Sequence, residues 1–219
     1  ALVLVATIRA LRHHGGAKKN EYNTPSLEKV SKGFENLEKH IENCQKFGLV
    51  PVVAINRFSS DSQEEIDFIT HACASKGVRA FISDCWARGG EGMTEIAQAV
   101  VDGIRSGANH FRPLYDWKIP VEEKIMTISR DIYGADDVEY SPKAREGLKM
   151  IKELGFDKLP VCMAKTQKSF SDNEHKIGRP RNFIVTVREF EFAAGAGFVI
   201  PILGDMMRMP GLPATPAAE

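Results

Sequence analysis

Three stretches of the sequence hold side chains with chemistry to offer, and each follows an apolar run of strand type. The first reads Arg9-Ala10-Leu11-Arg12-His13-His14-Gly15-Gly16. Guanidinium groups beside glycine backbone suit an anion. His13 and His14 are candidates for proton transfer, although a histidine pair in a loop more often has a structural role. The second reads Asn56-Arg57-Phe58. An Asn amide at the end of a buried strand offers a donor and an acceptor to a purine edge. The plainer reading is that Asn56 ties down its own loop. Phe58 stands in a polar loop, away from any periodic apolar face, as a local anchor or a stacking surface. The third runs from Asp84 to Gly92 and sets Trp86 beside Gly89, Gly90 and Gly92. That pairs a flat ring with backbone that a ligand can approach closely. The plainer reading is a Trp packed under a glycine turn. Phe58 and Trp86 follow neighbouring strands, so they can face each other across a slot for a planar heterocycle.

Placement of these residues depends on the elements that carry them, because ligands of open parallel sheets bind beyond the carboxyl ends of the strands. Residues 2–8, 50–56 and 78–83 read as strands. The first is apolar throughout, which predicts cover on both faces. Pro51 opens the second, where a missing N–H is tolerated. Between the strands, Thr24-Pro25 reads as a cap and first helical residue. Leu27, Val30, Phe34, Leu37, Ile41 and Cys44 then form one helical face ending near Phe47. Asp61 with Glu64 has capping-box spacing, and Ile66, Ile69 and Cys73 face inward behind it. A third helix carries Ile96, Val100 and Ile104. The pattern predicts an α/β fold with parallel-sheet βαβ units over residues 1–110. Beyond, residues 121–133 are amphipathic, and Ser141-Pro142 opens a helix ending near Gly155. Residues 159–164 and 183–187 read as strands. A glycine- and proline-rich tail closes a smaller α/β subdomain, residues 111–219.

Composition narrows the function classes. The 219 residues balance 29 Lys and Arg against 29 Asp and Glu. A neutral chain has no electrostatic footprint for nucleic acid or an anionic membrane. No apolar run is long enough to span a bilayer. The four cysteines form no C-x-x-C pair and have no His at zinc-ligand spacing, so no metal site is expected. Cys44 and Cys73 read as buried thiols, which fits a reducing cytoplasm. No G-x-x-x-x-G-K-[ST], G-x-S-x-G or H-E-x-x-H occurs. The chain thus has pocket walls without a phosphate cradle or an obvious nucleophile. A buried-type strand at the very start, with no initiator Met, leads to the expectation that an upstream part completes the sheet.

The run Val5-Ala6-Thr7-Ile8-Arg9-Ala10-Leu11 with Gly15-Gly16 resembles a signature of formate–tetrahydrofolate ligases. So, in order, do Asn56-Arg57-Phe58, Trp86 with Gly89-Gly90, Tyr133-Gly134-Ala135-Asp136-Asp137, and the run from Leu159 to Thr166. Gly195-Ala196-Gly197-Phe198 and Met209-Pro210-Gly211-Leu212-Pro213 continue the likeness to the end of the chain. The resemblance implies an ATP-dependent ligase that forms 10-formyltetrahydrofolate from formate through formyl phosphate. It implies a P-loop NTPase-like sheet whose phosphate-binding loop lies in a missing N-terminal part. It also implies Mg²⁺, a site for a monovalent cation, a homo-oligomer and a cytoplasmic location. Carried over by position, Phe58 and Trp86 match the pair that sandwiches the pterin ring, and Ile82 matches a pocket wall that is commonly Leu. Asn56 falls near the adenine. Arg9 has no carried-over role. Two departures stand out: Arg12 where the family usually has Lys, and Ser59 where relatives often have Pro. This chain alone is expected to be inactive; the alternative is a free-standing folate-binding or oligomerisation module.

Overall fold

The computed structural model describes residues 1–204. The Met209-Pro210-Gly211-Leu212-Pro213 run lies outside the described residues. The first half lays down β1 (Leu2–Ala6), α1 (Ile8–His14), α2 (Leu27–Lys46), β2 (Pro51–Asn56), α3 (Gln63–Ser75), β3 (Arg79–Ser83), α4 (Cys85–Arg88) and α5 (Thr94–Arg105). The strands form one parallel sheet in the order β1-β2-β3. In-register residues of parallel strands share a face. One face, with Leu4, Val53 and Ile55, packs on Val30, Leu37 and Ile41 of α2 and on Ile66, Ile69 and Cys73 of α3. On the other face Ile96 and Ala99 of α5 cover Val52 and Ala54.

Cover on that second face stops short of β1. Val3 and Val5, in register with Val52 and Ala54, are 43% and 63% exposed. The expectation that the first strand is buried on both faces is therefore corrected: α5 lies over β2 and β3 only. The strand also ends earlier than expected. Thr7 turns the chain, and its Oγ1 accepts the Ala10 N–H at 3.1 Å. Arg9 to His14 thus lie on a helix, not in a loop. Gly15 and Gly33 let that helix touch α2. A Cβ on Gly15 would stand 1.8 Å from the Lys29 carbonyl oxygen, and one on Gly33 1.9 Å from that of Leu11.

Helix starts also shift. Ser26, not Thr24, caps α2. The capping box of α3 is Ser62 with Glu65, one residue beyond the expected Asp61 and Glu64. On α5 the inward face is Ile96 and Ala99, while Ile104 is 63% exposed.

The second half runs α6 (Val121–Ile128), a π turn at Ser129–Tyr133, β4 (Asp137–Tyr140), α7 (Pro142–Glu153), β5 (Ile184–Val187), β6 (Glu189–Ala193) and β7 (Phe198–Ile202). β4 and β5 pair in parallel, whereas β6 and β7 form an antiparallel hairpin closed over Ala194–Ala196. Residues 159–164 form no strand. They contribute isolated bridges at Val161 and Ala164, which join β7. A second core gathers Val121, Ile125, Ile151, Val185, Val187, Val199 and Leu203. The chain is thus an α/β protein with small parallel sheets and several helices.

The two cores meet along a polar face of α2. Asn36, Lys39 and Asn43, all buried, donate to the carbonyls of Gly178, Asp131 and Ile132 at 2.9 Å each. Arg179 clasps Glu42 through two bonds of 2.8 and 2.7 Å.

Cys73 is wholly buried, and burial pushes its thiol up to about 12. Cys44 is only half-buried, which corrects its reading as a core thiol; Cys85 and Cys162 are exposed. Titration of the native protein with an aromatic disulfide reagent should release two equivalents quickly, from Cys85 and Cys162. Cys73 should respond only on unfolding, and a fast reaction there would contradict this packing.

Candidate functional site

A buried ion pair braces the loop that carries Phe58. The Arg12 side chain is fully buried, and its fork meets Glu65 through Nε to Oε1 at 2.9 Å and Nη2 to Oε2 at 2.6 Å. Nη1 donates to the Tyr22 carbonyl at 2.7 Å, and Nη2 to the Ser60 carbonyl at 3.2 Å. Glu65 in turn accepts the backbone N–H groups of Ser26 at 2.8 Å and Ser62 at 3.0 Å. One pair therefore joins α1, the start of α2, the start of α3 and the loop after β2. Burial alone would raise the Glu65 pKa. The Arg12 guanidinium and the Ser26 and Ser62 donors outweigh it and bring it down to about 2. Arg12 is thus spent on structure and is not the anion-binding residue expected. The bidentate fork is one that Arg can form and Lys cannot.

Above this brace, Asp61 closes the Phe58 turn. Its Oδ2 accepts the Phe58 N–H at 2.8 Å, and its own N–H returns to the Phe58 carbonyl at 3.0 Å. Burial pushes the Asp61 carboxyl up, against the pull of the Phe58 N–H and Arg12. The Phe58 ring is half-buried, with the Arg9 guanidinium carbon 4.0 Å from its centroid. Such a stack is worth about 0.5–1 kcal/mol or more. Arg9 Nε is buried without a hydrogen-bond partner, as are Ser60 Oγ and Asp61 Oδ1, which stands 3.5 Å from Arg12 Nη2. One face of Phe58 is therefore backed by a cation.

The loop after β3 is held differently. The Asp84 N–H donates to the Gly92 carbonyl at 3.2 Å, and Gly89 turns with φ of 58°. Trp86 on α4 is 94% exposed and makes no ring contact with another described residue. It is not packed under the glycines. Between the two loops lies a cavity of about 530 Å³, with Arg57, Ile82, Asp84, Arg88 and Glu91 among its walls. Its lining mixes two cations with carboxylates.

The structure brings Arg57 and Ile82 to one cavity and sets Phe58 against Arg9, but it does not stack Phe58 on Trp86. Asn56 is half-buried at the end of β2, and its side chain has no hydrogen bond among the described residues. His13 and His14 turn away from this region. His13 Nδ1 lies 2.8 Å from the Tyr22 hydroxyl, and His14 Nδ1 accepts the Gly178 N–H at 3.0 Å. Two contributors escaped sequence reasoning: Arg9 as the backing of Phe58, and Glu65 as the partner of Arg12. The residues present no group of three His, Cys, Asp or Glu that could hold a metal ion, among those described. No described helix is long and apolar enough to cross a membrane.

Residues 1–219, the whole chain, match the family model described as Formate--tetrahydrofolate ligase. The chain belongs to this family. Membership implies ATP-dependent ligation of formate to tetrahydrofolate. In this formate–tetrahydrofolate ligase chain the loops after β2 and β3 converge on one end of the sheet, as ligand-binding loops of open α/β sheets do.

Replacing Glu65 by Gln takes the bidentate carboxylate from the buried Arg12 charge and leaves it only Asp61 at 3.5 Å, which costs about 3–5 kcal/mol. The folded pKa of Glu65 is depressed, so its stabilisation is full above the unfolded value of 4.5 and fades as pH falls toward 2. Urea denaturation should show a large gap between wild type and Glu65→Gln at pH 7 and a narrowing gap below about pH 4. An equal gap at both ends would show that the pair is not what Glu65 contributes.

Proposed function

We propose that this chain forms the tetrahydrofolate-binding side of the ligase, with the reduced pterin held between Phe58 and Trp86 and Ile82 on the wall. The observation that carries the reading is the contrast between the two rings. Phe58 is fixed from behind by Arg9 and from below by Asp61, while Trp86 projects into solvent with an open face. A rigid platform and a free ring make a slot that a planar ligand completes. Ordering Trp86 then costs little, because an aromatic side chain has few rotors to fix.

The reaction places two demands on such a slot. Formate oxygen takes the terminal phosphoryl group of ATP and ADP leaves; the amine of tetrahydrofolate then attacks the formyl carbon, and phosphate departs. Holding the amine still beside a short-lived acyl phosphate is catalysis by proximity, and excluding water protects that intermediate. Mg²⁺ that accompanies ATP would screen the charge of the phosphates.

On this reading the division is functional. Residues 1–110 carry the folate side, with Asn56 toward the nucleotide, and residues 111–219 form a supporting subdomain. Further strands and the phosphate-binding loop would join at the edge of β1, in a P-loop NTPase-like sheet, and the exposed face of Val3 and Val5 is the one that helices of such an addition would cover. A cytoplasmic homo-oligomer with a monovalent-cation site completes the proposal.

Calorimetric titration with tetrahydrofolate tests the slot. Phe58→Ala and Trp86→Ala should each weaken binding about tenfold, the loss of ~1.4 kcal/mol of stacking. Unchanged affinity in both variants would place the pterin elsewhere. The 219-residue chain by itself should not formylate tetrahydrofolate with ATP. Turnover by the purified chain would refute the need for a separate phosphate-binding part.

A further inference from the structure

A second cavity lies at the seam between the two cores, away from the Phe58 loop. It measures about 170 Å³, and its walls include His14, His40, Asn43, Tyr133, Lys165 and Phe170. Lys165 belongs to the run from Leu159 to Thr166 that the folate slot leaves unused.

Four features of this cavity specify what can occupy it. Lys165 Nζ donates to the carbonyls of Thr166 and Ser169 and lies 4.8 Å from the Tyr133 ring centroid. No carboxylate stands within ion-pair distance of it among the described residues, so an ammonium without a counter-charge lines the cavity. Burial lowers its pKa to about 8, against the opposing charge of Asp172, and it stays mostly protonated at neutral pH. Second, the His14 Nδ1 atom accepts the Gly178 N–H at 3.0 Å. A neutral ring must then carry its proton on Nε2, as a donor. Burial, with His13 and His40 nearby, holds His14 down to about 4, so the ring is neutral at pH 7.

Third, Asn43 is 7% exposed and its Nδ2 is spent on the Ile132 carbonyl at 2.9 Å. Its Oδ1 is buried without a partner. A buried acceptor left unpaired costs about 1–3 kcal/mol, so it calls for a donor. Fourth, His40 is tilted over Phe170 with centroids 4.6 Å apart and stays exposed, at the mouth of the cavity.

An occupant must therefore be small, carry negative charge for Lys165, accept from His14, and still donate one hydrogen to Asn43. A fully deprotonated carboxylate such as formate lacks that hydrogen. We propose that this cavity binds a small oxyanion that retains a proton, hydrogen phosphate or bicarbonate, clamped between the two cores. The proposal stands apart from the folate slot. Bound there, the ion bridges α2 to the loop after Ala164 and adds its binding energy to the docking of one core on the other.

Titration of the protein with inorganic phosphate, bicarbonate, sulfate, formate and chloride at pH 7 and matched ionic strength tests this. The readouts are thermal midpoint and the ¹⁵N signals of the His14 ring. Phosphate or bicarbonate should raise the midpoint saturably and move the His14 Nε2 signal, and the one that saturates names the ion. Sulfate matches phosphate in shape but carries no proton, and it should bind at least tenfold more weakly. Lys165→Gln should abolish saturation. Asn43→Asp, which places a negative charge where the ion's hydrogen would bond, should weaken it at least tenfold and serves if the lysine variant does not fold. No saturable response to any of the five ions, or sulfate binding equal to phosphate, would overturn the proposal and leave the cavity to water.

Discussion

The fully buried pair of Arg12 and Glu65 is the constraint on which the candidate site depends. Both charges are withdrawn from water, which costs several kcal/mol per ion before attraction returns any of it. The bidentate fork, the carbonyls of Tyr22 and Ser60, and the N–H groups of Ser26 and Ser62 satisfy nearly every polar atom of the pair. The effect is geometric as much as energetic. Two helix starts and a loop must meet at one point, and the loop that emerges is the one with Phe58. Arg9 lies one helical turn before Arg12, so the same short helix that braces the loop also backs the ring.

Much of this was legible in the sequence. The inward face of α3 follows from the spacing of Ile66, Ile69 and Cys73, and the parallel strands from their apolar runs. The positions of Phe58 and Trp86 beyond neighbouring strands follow from the same alternation. The backing of Phe58 did not. Helix α1 has seven residues, too few for a 3.6 period to show beyond Ile8 and Leu11, so Arg9 and Arg12 passed for loop residues. Gly15 suggested an anion loop where it serves close contact with α2. Ion-pair partners 53 residues apart leave no trace in local pattern.

Two other misses had signals in the text. Glu189-Phe190-Glu191-Phe192 alternates strictly and marks a strand, but the glycines after it suggested a glycine-rich tail in place of a hairpin turn. On α2, Asn36, Lys39 and Asn43 step by three and four on a face beside the apolar one. Such a stripe reads as solvated until a second core supplies carbonyls to meet it. Buried polar contacts of this kind favour one docking geometry over others, because each misplaced donor would go unpaired. The cavity at Lys165 lies where this polar seam is incomplete.

In the proposed slot Phe58 is a prepared platform and Trp86 the ring that closes on the ligand. A crystal structure of the enzyme with tetrahydrofolate tests it most directly. The pterin is expected on the face of Phe58 opposite Arg9, with the Arg12 and Glu65 bonds unchanged and Trp86 far less exposed than its present 94%. A pterin bound away from Phe58, or a Phe58 loop that leaves Arg9 and refolds around the ligand, would contradict it.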